Sequence, residues 1–275
     1  MTGLPDTKKI VAAFHQNAAE YDQHISVQKR VVANLVRHIE AESGMPTKTI
    51  LDVGSGTGSL LGRLHSIYPA AALCGIDLAF NMCLSTSAKL GEHCTVVNGD
   101  AEQLPFADGR FDLVVSTSAL QWVGNLSQAL YEMRRVIKPG GTLSVAFFCE
   151  GTLGELRRCF CEAVGVLGAE NNQRSARLHE FRTIENVKLI LGSMDFEKIV
   201  LNSETETDWY DDVHSLLRSI KNIGAGTVAG GSGGGLGWRG VLNETSRLYR
   251  EYYGQNGRIP VTYNVLYLHA RVAKS

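Results

Sequence analysis

The stretch that decides the fold is Ile50-Leu51-Asp52-Val53-Gly54-Ser55-Gly56-Thr57-Gly58. Its apolar start is typical of a buried β-strand. The glycine cluster that follows indicates a sharp turn into a helix, because glycine lets the backbone approach a ligand closely. We therefore predict a strand at 49–53 that ends in a nucleotide-type binding turn.

Two acidic residues follow at the ends of later apolar segments. Asp77 comes after the apolar run 73–76. It lies roughly 20 residues beyond the glycine turn, which is the spacing of a carboxylate that binds the hydroxyls of a ribose. Asp100 comes after a third run at 95–97. Because the carboxyl ends of parallel strands meet at one edge of a sheet, the turn and both carboxylates are expected to form one pocket.

Strand-like and helical segments alternate from residue 49 to residue 148, which is typical of a parallel sheet with helices on both faces. Strands are predicted at 49–53, 73–77, 95–97, 111–116, 142–148, 197–202 and 261–272. A helix at 126–137 is expected to stop at Lys138-Pro139-Gly140-Gly141. The predicted fold class is a doubly wound, mostly parallel, seven-stranded Rossmann-like α/β sheet. Its last strand is entered by a hairpin-like return and is expected to lie antiparallel at the sheet edge.

The whole chain, residues 1–275, is interpreted as a single domain. Two N-terminal helices are assigned to 1–45, the nucleotide-binding core to 46–150, cap helices to 151–196 and 208–256, and closing strands to 197–207 and 257–275. A cap is expected because these segments exceed what a minimal crossover between strands needs. The glycine-rich segment 224–240 is predicted to be a flexible loop, since it has too few side chains to hold a packed core.

Composition and charge exclude several function classes. With 275 residues, of which 44% are hydrophobic, the chain can bury a full core. Its net charge of −1 disfavours nucleic acid as a main partner. No apolar segment approaches the roughly 20 residues that span a bilayer, and no signal peptide is recognised, so we expect a cytoplasmic protein without a membrane partner. The six cysteines lack CxxC spacing, so neither disulfides nor a bound metal is expected.

The turn and its two carboxylates resemble the cofactor site of the class I S-adenosylmethionine-dependent methyltransferases. A GxGxG turn directly after an acidic residue is typical of that class, as at Asp52 to Gly58 here. The resemblance implies S-adenosylmethionine as the cofactor, with Asp77 on its ribose and Asp100 with Ala101 on its adenine. It also implies cofactor contacts from Asp52, Gly54, Ser55, Gly56, Gly58, Leu78, Met82 and the backbone carbonyl of Ser116.

Two rivals from other classes stay open at this point. An NAD-dependent oxidoreductase shares the strand, the turn and the ribose carboxylate, but it ordinarily has GxGxxG and a residue that handles hydride. A non-catalytic protein that only binds the cofactor is not distinguished, because the sequence shows a pocket rather than turnover.

Segments outside the cofactor turn resemble the malonyl-acyl-carrier-protein O-methyltransferases of biotin synthesis. These segments are the leading helix 14–28, the stretch 119–126 after the fourth strand, 217–225 and 258–263. The chain departs from that family at Ser55, where many members carry Cys, and in its glycine tract at 230–237. Within methyltransferases, a quinone C-methylase or a small-acid O-methylase is the alternative.

This second resemblance implies that the enzyme esterifies the free carboxylate of a malonyl thioester, carried by acyl carrier protein or by CoA. The carboxylate is its own nucleophile, which suits the lack of any recognisable Ser/His/Asp or paired-carboxylate constellation. Because the acceptor is an anion, Lys221 or Arg218 is predicted to bind it and Tyr21 to orient it. Further predicted substrate contacts are Gln121, Trp122 and Tyr263.

A docking surface for the acidic carrier protein is also predicted. Its candidate residues are Arg157, Arg158, Arg174, Arg177 and Arg182. The sequence leaves the oligomeric state open.

Overall fold

The computed structural model describes residues 7–18, 21–42, 47–167, 179–223 and 236–274 of the chain. In these ranges seven strands form one sheet. The strands are β1 (Thr49–Val53), β2 (Ala72–Asp77), β3 (Cys94–Asn98), β4 (Phe111–Thr117), β5 (Ile137–Phe148), β6 (Lys198–Tyr210) and β7 (Ile259–Arg271). The helices are α1 (Thr7–Asn17), α2 (Tyr21–His24), α3 (Ser26–Glu42), α4 (Ser59–Ile67), α5 (Phe80–Leu90), α6 (Leu126–Arg135), α7 (Gly154–Val166), α8 (Ile184–Gly192), α9 (Val213–Asn222) and α10 (Leu236–Tyr253).

The strand order is β3-β2-β1-β4-β5-β7-β6, and β7 runs antiparallel to both of its neighbours. The doubly wound fold class and the antiparallel last strand are therefore confirmed. The predicted edge position of that strand is wrong, because β7 lies between β5 and β6. Almost every residue of β7 is buried or half-buried, whereas β6 carries exposed polar side chains, so the more polar strand takes the edge.

The predicted boundaries around the last two strands need correction. β6 extends to Tyr210 rather than stopping at residue 202, because it pairs with β7 as far as Ile259. The first helix of the segment 208–256 consequently begins at Val213. Asp212 caps it by accepting a hydrogen bond from the backbone N–H of Ser215 at 2.7 Å.

Two predictions for glycine-containing segments also change. The Lys138-Pro139-Gly140-Gly141 run belongs to β5, since Ile137 already pairs with Phe111 and the Gly140 N–H donates to the carbonyl of Val272 at 3.1 Å. In the predicted loop 224–240, the part from Leu236 onward is the start of α10. Residues 224–235 lie outside the described part of the chain.

The described residues before β1 form three helices rather than the two that were predicted. α1 ends at Asn17, whose side-chain amide donates to the carbonyl of Ala13 at 2.7 Å. Asparagine side chains that bond their own backbone in this way compete with helix continuation. A separate short helix, α2, therefore carries Tyr21 toward the sheet.

Helices cover both faces of the sheet. One apolar cluster includes buried side chains of α3, α4, α7, α9 and α10, and a second includes those of α6 and α8. α1 packs on α5, where the side chain of Asn81 donates to the carbonyl of His15 at 2.9 Å. Within the described ranges, no helix combines the length and apolar character that crossing a bilayer requires.

Candidate active site

A cavity of about 510 Å³ opens at the carboxyl ends of β1, β2, β3 and β4. Val53, Asp77 and Thr117 line it at the ends of three of these strands, and Asp100 lines it just after β3. Ligands of doubly wound sheets bind at this edge, and the volume is typical of a cofactor site. We call it the cofactor cavity.

Asp77 ties the glycine turn to β2. Its Oδ2 accepts a hydrogen bond from the backbone N–H of Gly56 at 2.9 Å, and its Oδ1 accepts one from Ala79 at 2.8 Å. Burial raises the pKa of this carboxyl, and the two N–H donors counteract that rise. Each oxygen keeps lone pairs for a ligand, so the group can hold the glycine turn and accept hydroxyl protons together.

The glycine turn is shaped by close backbone approach. Gly54 has a φ of +74°, and a Cβ on it would overlap the side chain of Ala119. Gly58 has a φ of +76°, and a Cβ there would come within 3.0 Å of the Thr86 side chain. Thr86 also donates to the carbonyl of Gly56 at 2.7 Å. Both conformation and space therefore require glycine at these two positions.

A second, smaller pocket of about 40 Å³ adjoins the cofactor cavity. We call it the inner pocket. The two share four lining residues, which we call the junction: Phe14, Tyr21, Ser118 and Trp122. The inner pocket is further lined by Gln28, Gln121, Phe148, Thr152, Leu153, Phe181, Ile220, Ile223 and Tyr263. It has room for about three water-sized groups, so it suits a small polar group placed against the cofactor.

Three of the four junction residues are aromatic. The ring of Phe14 lies 6.2 Å from that of Tyr21 and 5.9 Å from that of Trp122, both edge-on. Burial raises the pKa of the Tyr21 hydroxyl well above its usual value, with the charges of Asp77 and Asp22 adding to the effect. The hydroxyl is therefore protonated and available as a hydrogen-bond donor at neutral pH.

α2 is fixed to the glycine turn by the residue next to Tyr21. The Asp22 carboxylate accepts a hydrogen bond from the Thr57 hydroxyl at 2.6 Å and from the Lys89 ammonium at 3.1 Å. These contacts hold Tyr21 between the two cavities.

Comparison with known proteins assigns the chain to a family. A profile described as a methyltransferase domain matches residues 51–145. The malonyl-[acyl-carrier protein] O-methyltransferase of Geobacter sulfurreducens is 39% identical over 95% of this chain and 97% of that protein. Its counterpart in Laribacter hongkongensis is 32% identical over 96% of this chain and 89% of that protein. The chain belongs to the malonyl-[acyl-carrier protein] O-methyltransferase family.

Solved structures agree with this family at the level of the fold. The YcgJ protein of Bacillus subtilis superposes with a TM-score of 0.58 at 17% identity and covers 88% of this chain and 98% of its own. Phosphoethanolamine N-methyltransferase 2 of Haemonchus contortus, in complex with S-adenosyl-L-methionine, gives a TM-score of 0.54 at 19% identity over 88% of this chain and 53% of that one.

In this malonyl-[acyl-carrier protein] O-methyltransferase family member, the predicted cofactor residues fall into two groups. Those that line the cofactor cavity are Gly54, Gly56, Asp77, Leu78, Met82, Asp100 and Ala101. Those that lie outside its lining are Asp52, Ser55, Gly58 and Ser116. Asp52 is only 1% exposed, and burial together with the charge of Asp77 raises its pKa to about 8. The backbone of β4 reaches the cavity at Thr117, one residue beyond the predicted Ser116.

Some of the predicted substrate residues line the inner pocket, and others line neither cavity. Tyr21, Gln121, Trp122 and Tyr263 line the inner pocket. Lys221 and Arg218 are exposed on α9, whose buried positions are Val213, Leu216 and Ile220, and neither cation lines either cavity. Their role toward the acceptor stays a prediction.

Several lining residues were missed from sequence. Ile10, Val11 and Phe14 of α1 cover the cofactor cavity, and Ser118 borders both cavities. The apolar spacing of α1 was correctly interpreted as helical, but such a stripe looks the same whether it covers a core or a ligand. Ser118 carried no signal beyond its position just after a strand.

Proposed function

We propose that this chain transfers a methyl group from S-adenosylmethionine to the free carboxylate of a malonyl thioester, as a step of biotin synthesis. Support comes from the names of its relatives, which match over nearly the full length. The observation that carries the proposal is the pair of adjoining cavities, one suited to the cofactor and one to a small polar group.

The residues of the cofactor cavity fit S-adenosylmethionine. Asp77 offers free lone pairs at the end of β2, and Asp100 and Ala101 follow at the end of β3. When bound, the cofactor supplies a methyl group on a sulfonium: a carboxylate oxygen forms the O–CH₃ bond, the S–CH₃ bond breaks with its electron pair on sulfur, and no proton moves.

The chain's contribution is to align the acceptor and to exclude water. Phe14 and Trp122 wall the junction, and Tyr21 presents a protonated hydroxyl there. Alignment of this kind can supply ~7 to 11 kcal/mol of the barrier. Because an ionised carboxylate needs no base, a pocket without acidic or basic side chains among its described lining residues suits this acceptor.

The proposed reaction is tested by incubating the purified protein with methyl-labelled S-adenosylmethionine and each of three acceptors: malonyl-acyl carrier protein, malonyl-CoA and free malonate. We expect a base-labile methyl mark on a malonyl thioester, and no mark when the Asp77→Ala variant is used. Transfer to malonate alone, or to a quinone, would assign the chain to another methyltransferase reaction. No transfer to any acceptor would refute the proposal.

Docking of acyl carrier protein at the predicted arginines is a further part of the proposal. Arg157 lies 3.8 Å from Glu180, and Arg158 lies over the ring of Tyr252 at 5.4 Å. Arg182 donates to the carbonyl of Gly124 at 3.0 Å, so it has a structural role. Arg174 and Arg177 lie outside the described residues. Charge reversal of Arg157 and Arg158 is expected to raise KM for the carrier-bound substrate but not for malonyl-CoA, and equal KM values would exclude this dock.

A further inference from the structure

The inner pocket contains polar groups but no charged ones. Among the described residues that line it, there is no Lys, Arg, His, Asp or Glu. Its polar members are Tyr21, Gln28, Ser118, Gln121, Thr152 and Tyr263. An acceptor carboxylate in this pocket would therefore meet hydroxyl and amide groups rather than the cation that the sequence led us to expect.

Three of these six polar residues are already engaged within the protein. The Thr152 hydroxyl donates to the carbonyl of Asn264 at 3.1 Å, and the hydroxyl of Tyr263 bonds to Tyr210. The amide of Gln121 donates to the carbonyl of Ser118 at 2.7 Å. These contacts shape the walls of the pocket.

Ser118 differs from Thr152 and Tyr263. Its Oγ is buried and has no hydrogen-bond partner among the described residues, although the residue borders both cavities. Buried hydroxyls without a partner are rare in folded proteins, and each one calls for an explanation. Tyr21 carries the other hydroxyl of the junction.

The backbone at Ser118 is held in an unusual conformation. Its φ is +53°, which residues other than glycine rarely adopt. The Ser118 N–H donates to the carbonyl of Ala146 at 2.8 Å, and its own carbonyl accepts from Gln121. Both contacts hold Ser118 in this strained backbone conformation directly after β4. Backbone strain of this kind is often found at functional sites.

The imidazole of His179 is held neutral. His179 lies behind Trp122, with ring centroids 4.9 Å apart, and bonds to the backbone of Gln121. Burial, together with the charges of Arg182 and Arg157, lowers its pKa to about 4. The imidazole therefore adds no positive charge beside the pocket at neutral pH.

A cation-free pocket suits a reaction that removes charge. Carboxylate and sulfonium are both charged before transfer, and both products are neutral at the reacting atoms. A lysine or arginine beside the carboxylate would stabilise the ground state more than the transition state and so slow the reaction. Neutral hydrogen-bond donors can also orient the carboxylate oxygen. They stabilise the charged ground state less than a lysine or arginine would, so they oppose the reaction less.

We propose that the inner pocket binds the malonyl carboxylate through neutral donors, the Ser118 and Tyr21 hydroxyls, and that none of its described lining residues supplies a cation to it. This inference rests on the proposed function. It assigns to Ser118 a substrate-binding role, and it makes the affinity for the carboxylate depend on the positive charge in the neighbouring cavity.

The first test measures equilibrium binding in complexes that cannot react. The malonyl thioester that the wild-type protein methylates is titrated against protein saturated with S-adenosylhomocysteine, which is neutral at sulfur, or with sinefungin, which carries an amine at the methyl position. We expect at least about tenfold tighter binding with sinefungin. The thioester's methyl ester is the control and is expected to bind equally to both. Equal affinities of the free acid would overturn the inference.

The second test removes the hydroxyl. Ser118→Ala and Ser118→Gly are expected to weaken thioester binding to the sinefungin complex about tenfold, with unchanged affinity for S-adenosylhomocysteine. The glycine variant relieves the positive φ, so it keeps the test valid if the alanine variant folds poorly. Ser144→Ala, a buried serine of β5 outside both cavities, is the matched control. Wild-type binding by both Ser118 variants would refute the assignment.

The two proposals fail in different ways. If no malonyl thioester is methylated by the wild-type protein, the proposed function is wrong. If the thioester is methylated but neither the analogue charge nor Ser118 affects its binding, the function stands and the cation-free pocket is wrong.

Discussion

The cofactor cavity and the inner pocket are built in different ways. Apart from α1 and Tyr21, the cofactor cavity is lined by residues 53–124, at the ends of neighbouring strands, and Asp77 bonds two backbone groups beside it. The inner pocket draws its lining from segments as distant as Phe14 and Tyr263, and its described lining has no charged side chain. The cofactor site thus depends on local backbone geometry, whereas the acceptor site depends on the packing of distant segments.

The largest effect is expected where the local geometry is tightest. In Gly54→Ala, the new Cβ would overlap Ala119 and the residue would keep a positive φ of +74°. We expect the free energy of unfolding to fall by about 3 kcal/mol or more and cofactor binding to be lost. Thermal melts and calorimetric titration with S-adenosylmethionine measure both.

Gly257→Ala is the matched control for that substitution. Gly257 also has a positive φ, +77°, but among the described residues no heavy atom beyond its chain neighbours lies within 4 Å of the position a Cβ would take. Its loss of stability should be limited to the backbone cost of about 1 to 2 kcal/mol, with unchanged cofactor affinity. Equal behaviour of the two variants would show that overlap with Ala119 is not what requires glycine at position 54.

The next largest effect is expected at the carboxylate that holds the turn. Asp77→Asn replaces one acceptor oxygen with an amide donor facing the N–H of Gly56 or Ala79. We expect about 100-fold weaker binding of S-adenosylmethionine, measured by calorimetry. Asp52→Asn is the comparison: with a pKa of about 8, this buried carboxyl is mostly protonated at pH 7, so the amide is a near-isosteric replacement. Comparable losses in both variants would restore the predicted role of Asp52.

The same contrast explains how much could be predicted from sequence. The strand, the glycine turn and Asp77 were identifiable because glycine spacing and strand ends are properties of neighbouring residues. The structure places Tyr21, Gln121, Trp122 and Tyr263 at one pocket. Their predicted substrate contacts came only from a family resemblance, and they stay predictions. Ser118 was missed, since positive φ on a serine has no sequence pattern. Lys221 was predicted to bind the acceptor because its charge is opposite to that of the carboxylate. That argument does not consider which face of α9 is buried.

Ionisation behind the inner pocket gives a prediction for stability. The imidazole of His179 has a pKa of about 4 in the folded chain against 6.5 when unfolded, so the unfolded state binds more protons between these values. The free energy of unfolding should therefore fall as pH decreases from about 6.5 to 4, by about 2 kcal/mol for this group. Urea unfolding of wild type and His179→Gln across this range checks it, since the variant should lack this contribution. Parallel curves for the two proteins would contradict the burial of a neutral imidazole.

A smaller effect on the reaction is expected at the junction. Tyr21→Phe removes a protonated hydroxyl while keeping the ring that contacts Phe14. We expect kcat/KM for the malonyl thioester to fall about tenfold, with little change in cofactor affinity. Steady-state kinetics and a cofactor titration separate the two. Unchanged turnover would remove Tyr21 from the mechanism, and an equal loss of cofactor affinity would make it a cofactor residue instead.

The smallest effect is expected at the two cations that the sequence favoured. Lys221 and Arg218 lie on the exposed side of α9, while Ile220, between them in sequence, lines the inner pocket. Because an exposed charge is screened by water and salt, Lys221→Gln and Arg218→Gln should each change kcat/KM for malonyl-CoA by less than about twofold. A tenfold or larger rise in KM with either variant would mean that α9 turns its cation toward the acceptor during turnover. In that case the carboxylate would be held by a protein cation, and the difference in charge between the two cavities would disappear.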